Sequence, residues 1–97
     1  MKVDIENKIK ENFTDTEKVI NIISQLTVPD IEKDRVIRCV LYLSDSDIDS
    51  LKSWVKKANI DRRDIYFFAE YDNHSERKWN FGIEYNKQKP YQFRDSK

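Results

Sequence analysis

Ile48, Leu51, Trp54, Val55 and Ala58 recur at helical spacing and form one continuous apolar stripe, the clearest period in the chain. The ends of that helix agree with its middle. Asp45, Asp47 and Asp49 gather at the positive end of the macrodipole, Ser46 or Asp47 is placed to cap, and Lys56 and Lys57 lie at the negative end. Asn59 is the expected stop. Upstream, Ile5 and Ile9 sit four apart among charged residues, which predicts a thin amphipathic helix over residues 3–12. Thr14-Asp-Thr-Glu17 has capping-box spacing, and Val19, Ile22, Ile23 and Leu26 follow on one face. Pro29 disfavours helical geometry at Val28, so that second helix ends near Leu26.

Two stretches fit both periods. In residues 35–43, Val36, Ile37, Val40, Leu41 and Ser44 make a helical stripe, whereas Ile37, Cys39, Leu41 and Leu43 alternate as a strand face. In residues 62–71, Asp61 is able to cap onto the Asp64 amide ahead of Ile65, Phe68, Ala69 and Asp72 at helical spacing. Ile65, Phe67, Ala69 and Tyr71 alternate equally well, and aromatic residues favour sheets. From Lys78 the period becomes two, with Trp79, Phe81, Ile83 and Tyr85 on one face. After a polar turn through Lys87, Lys89 and Pro90, Tyr91 and Phe93 complete a hairpin. The fold expected is therefore helix-rich α+β: four or five short helices with a C-terminal β-hairpin. The alternative is an α/β arrangement with three or four strands, and the period leaves helix against strand open for residues 35–43 and 62–71.

A chain of 97 residues forms one small domain, residues 1–97, with residues 1–12 and 95–97 expected to be loosely ordered. Lysine and arginine total 18 and aspartate and glutamate total 18, so a basic surface for nucleic acid is not favoured by net charge. The single cysteine, Cys39, rules out a disulfide within one chain. No apolar run approaches the ~20 residues of a membrane span, and the N-terminus lacks the apolar core of a signal peptide. A cytoplasmic protein without membrane association is the expectation.

The segments Arg35-Val-Ile-Arg-Cys39 and Arg63-Asp-Ile-Tyr-Phe-Phe-Ala-Glu-Tyr71 resemble a set of small bacterial proteins. These carry an Arg-x-x-Arg-Cys segment and a later Arg-Asp-x4-Ala-Glu-Tyr segment. The likeness covers residues 35–72 and implies a bacterial cytosolic origin. No activity is known for that set, so it transfers no site.

Chemistry-bearing residues are sparse. Asp45, Asp47 and Asp49 alternate like a calcium loop but lack the glycine and the terminal glutamate, and helix capping explains them better. Glu70, Asp72, His74 and Glu76 would align only in an extended chain, which a helical Glu70 breaks. Cys39, set among Val36, Ile37, Val40 and Leu41, reads as a small core hydrophobe rather than a nucleophile. No phosphate loop or nucleophile elbow is present, so no enzyme activity, cofactor or metal is expected. Nine of twelve aromatic rings fall after residue 65, more than a small core holds, and surplus aromatic surface marks interfaces. The expected function is a non-enzymatic protein-binding module: a small bacterial regulator or a toxin-neutralising, immunity-like partner. It would contact another protein, or a second copy of itself, through Tyr66, Tyr71, Tyr85 and Tyr91. The alternative is nucleic-acid binding through the basic face of Lys52, Lys56, Lys57, Arg62 and Arg63.

Overall fold

The computed structural model describes residues 1–71 and 76–87, which fold as five α-helices followed by an irregular segment that lies back across them. The helices are α1 (Val3–Asn12), α2 (Thr16–Ile23), α3 (Asp30–Ser44), α4 (Ile48–Ile60) and α5 (Arg62–Glu70). α3 is central, packed by α1, α4 and α5, while α2 lies against α1 and α4.

Its position explains its ambiguous period. Residues 36–41 of α3 are all buried, because neighbours cover the helix on nearly every side. A helix enclosed in this way has no polar face to mark its turn, so the alternating and helical templates score alike. Residues 62–70 are likewise helical, with Ile65, Ala69 and Glu70 inward.

The helix ends follow local chemistry. Asp15, rather than Thr14, caps α2: its carboxylate accepts from the Lys18 amide at 3.0 Å. Asp47 caps α4 by accepting from the Ser50 amide at 2.8 Å. Asp61 both ends α4 and starts α5. Its amide donates to the Lys57 carbonyl at 3.0 Å and its carboxylate accepts from the Arg63 amide at 3.0 Å, while the Asp64 amide goes to the Asp61 carbonyl. Asn59, expected to stop α4, instead ties that helix to the α2–α3 link, accepting from the Thr27 amide and donating to the Gln25 carbonyl. α1, expected to be loose, buries Ile5 and Ile9.

The C-terminal hairpin is overturned. Among the described residues there is no strand, only an isolated antiparallel bridge between Tyr71 and Arg77, a turn at Phe81–Gly82 and a 3-10 turn over Tyr85–Lys87. Neither the α+β nor the α/β arrangement holds for this all-helical body. The physical reason lies in where the segment's backbone bonds go. Instead of a ladder, the Glu70 carbonyl takes the Lys78 and Trp79 amides, charged side chains of the helices take the Phe81 amide and carbonyl and the Tyr85 amide, and the segment's own turns and side chains take the Gly82, Ile83 and Lys87 amides. The expected returning strand at Tyr91 and Phe93, and residues 95–97, lie outside the described residues.

Candidate functional site

Two carboxylates, one fully and one partly buried, organise the contact between the helices and residues 76–87. Glu70, at the end of α5, is fully buried. It accepts from Arg35 of α3 in bidentate fashion, Nε to Oε2 at 3.0 Å and Nη2 to Oε1 at 2.7 Å. Arg77 Nη2 donates to Oε1 at 3.1 Å and the Phe81 amide donates to Oε2 at 3.0 Å. The Glu70 carbonyl accepts from the amides of Lys78 and Trp79. Arg35 is fixed further by Tyr66, whose ring lies 3.8 Å from the guanidinium carbon and whose hydroxyl donates to Glu32.

Asp4 of α1 forms the second centre. Arg38 of α3 donates to it through Nε at 2.9 Å and Nη2 at 3.2 Å, and the Tyr85 amide donates to the same carboxylate at 2.9 Å. Arg38 Nη1 then donates to the Phe81 carbonyl at 3.1 Å, and the Tyr85 hydroxyl donates to the Arg38 carbonyl at 2.7 Å. Burial raises the Asp4 carboxyl, but the Arg38 guanidinium and the Tyr85 amide outweigh it and hold the group below its ordinary value. Burial pushes the Tyr85 and Cys39 hydrogens towards retention, so both side chains are neutral. Cys39 is fully buried, which removes it as a nucleophile.

The tyrosines expected at an interface divide accordingly. Tyr66 and Tyr85 are committed inward, to Glu32 and Arg35 and to Arg38 and Asp4. Tyr71 is outward, and Tyr91 lies outside the described residues. What sequence reasoning missed is the company Tyr71 keeps. It stacks on Phe67 with centroids 5.9 Å apart, Phe67 meets Phe68 edge-on at 6.1 Å, and Phe68 meets Trp54 of α4 at 5.7 Å. Phe67 is 53% exposed, Phe68 52% and Tyr71 37%, so these three rings make one continuous outward face that ends on Trp54, itself partly buried against the core. The helical stripe placed Phe68 with Ile65 and Ala69, but burial of Glu70 beside them rotates the inward face, so Phe67 and Phe68 both turn to the outside.

The basic cluster is partly neutralised. The Arg62 guanidinium lies 4.0 Å from Glu32, that of Arg63 3.3 Å from Asp61, and the Lys57 ammonium rests over the Trp54 ring. Lys52 and Lys56 are exposed on α4. Among the described residues no group of acids, histidines and cysteines is arranged to hold a metal ion; Asp72 and His74 lie outside them. No described helix is long and apolar enough to cross a membrane.

Residues 35–39 of α3 and the end of α5 meet at this centre: Arg35, Arg38 and Cys39 come from one and Glu70 from the other. Comparison with known proteins finds no matching family model, no matching curated protein and no matching solved structure.

Proposed function

We propose that the chain is a non-enzymatic protein-binding module whose contact face is formed by Trp54, Phe67, Phe68 and Tyr71. The observation that supports it is the contiguity of the rings. Val3, Ile31 and Ile60 are also exposed, but single apolar side chains are normal on a surface, whereas four touching rings form the rigid kind of anchor that interfaces use. Aromatic side chains lose little conformational entropy on binding, and Lys57 beside Trp54 supplies a polar rim. Such a module fits the role of a small bacterial regulator or a toxin-neutralising partner. Nucleic-acid binding is the weaker reading, because the two arginines of the basic face are each set against a carboxylate.

Phe67→Ser and Tyr71→Ser, combined in one chain, test the proposal against Lys52→Ser with Lys56→Ser in another. Captures from the native host are compared with wild type after circular dichroism confirms folding. A stoichiometric protein kept by the lysine variant and lost by the aromatic variant supports the reading. Equal retention by both removes the aromatic face from it.

A further inference from the structure

Residues 76–87 sit on the helices as a bound peptide sits in a receptor. Phe81 is the anchor: its ring is buried against Tyr42 of α3, with centroids 5.2 Å apart, and is flanked by Trp79 and Tyr85 of its own segment. Its amide is read by Glu70 of α5 and its carbonyl by Arg38 of α3. Four residues on, the Tyr85 amide is read by Asp4 of α1. Reading main-chain groups with fixed side chains while a pocket takes one ring is the division of labour of peptide-recognition sites.

The reading groups keep part of their pairing without the segment they read. Glu70 keeps both donors of Arg35, and Asp4 keeps both donors of Arg38, with no contribution from residues 76–87. Arg35 is also clamped by Tyr66. Lifting the segment away takes the Arg77 and Phe81 donors from Glu70 and the Tyr85 donor from Asp4, but it leaves an arginine on each carboxylate rather than two orphaned charges. The seam is also imperfectly filled. Depressions of about 360 and 520 Å³ lie along it, one lined by Asn7, Lys8 and Glu84, the other by Lys2, Asp34 and Gly82.

We propose that the cleft between α1, α3 and α5 is a peptide-recognition groove, occupied in cis by residues 76–87. In trans it accepts a segment of the same chemistry and the same turn, an aromatic anchor whose amide meets Glu70 and whose carbonyl meets Arg38. This surface is distinct from the exposed face of Phe67, Phe68 and Tyr71, and its test stands apart from theirs. The covalent link gives the native segment a high effective concentration, so an external segment gains entry only when the internal anchor is weakened.

The probe is a fluorescent synthetic peptide of residues 76–87, offered to full-length wild type and to full-length Phe81→Ala. Saturable binding to Phe81→Ala at least tenfold tighter than to wild type is expected. Competition by unlabelled peptide but not by a peptide with alanine for Phe81 is expected too, as is weakening by Glu70→Gln in the same background. Absence of binding to a folded Phe81→Ala chain, or equal binding to wild type, overturns the proposal. Should Phe81→Ala lose its helical circular dichroism, native-state hydrogen exchange of the wild type decides. The Phe81 and Tyr85 amides are expected to exchange at least tenfold faster than those of Val40 and Leu41, with a smaller denaturant dependence. Coincident exchange of all four shows that the segment never leaves on its own and overturns the proposal.

Discussion

Arg38 and Glu70 carry more of this structure than their residue types lead one to expect. Both are buried, and charged groups in such places persist only when paired and hydrogen-bonded. Their charge partners Asp4 and Arg35 lie more than thirty positions away, Arg77 and the Phe81 amide meet Glu70 from seven and eleven positions on, and no local pattern announces them. The available signal is an arginine between Ile37 and Cys39 in an apolar run, and a glutamate beside Ala69 on the inner side of an amphipathic helix. Asp4 converts this arrangement into a pH dependence. Its carboxyl is held below the ordinary value near 3.8, so folding binds fewer protons than the unfolded chain does. The stabilisation is complete above that value and is lost as pH falls through the folded one. Wild type is therefore expected to lose stability in urea titrations below about pH 4. Asp4→Asn, already lacking the charge, should be less stable at neutral pH and show a shallower acid slope. Parallel slopes for the two proteins would remove Asp4 as the source.

At the scale of elements, α4 was legible because one face is buried and the other wet, so Leu51, Val55 and Ala58 mark the period cleanly. α3 was not, because its surroundings erase the polar face. Residues 78–86 misled for a different reason. Alternating rings at Trp79, Phe81 and Tyr85 do carry a period of two, but Asp4, Arg38 and Glu70 meet the backbone where a partner strand would have done. Only the tertiary structure reveals that substitution. The α3–α4 turn shows a local conflict of its own: Asp45 and Ser46 both have positive φ, 49° and 70°, where side chains are disfavoured and glycine is not. Asp45 is the more tolerant residue type there, and serine gains less from local hydrogen bonding. Ser46→Gly is expected to stabilise the chain by about 1 kcal/mol, the relief of strain less the extra chain entropy glycine loses. For a domain of this size that raises the melting temperature by about 4 to 8 °C. An unchanged or lower melting temperature would mean that the turn stores no strain at Ser46.

For the whole molecule, the central helix offers a built-in reporter. Cys39 has no measurable exposure and lies midway along α3, enclosed by the apolar core to which all five helices contribute. Burial raises its thiol well above the ordinary value, with the Glu70 charge adding to the effect and the nearby arginines opposing it. A neutral, enclosed thiol is doubly unreactive, since the thiolate is the attacking species and the reagent has no access. Labelling by a disulfide reagent at neutral pH should therefore proceed only through openings that expose α3. It should accelerate with denaturant along the same curve as the loss of helical circular dichroism, because the helices share one core and unfold together. Release of residues 76–87 alone should leave labelling slow, since α1, α4 and α5 still pack against the same helix. Rapid labelling in the absence of denaturant, at the rate of an unfolded cysteine peptide, would show that the centre of α3 is not the core of this fold.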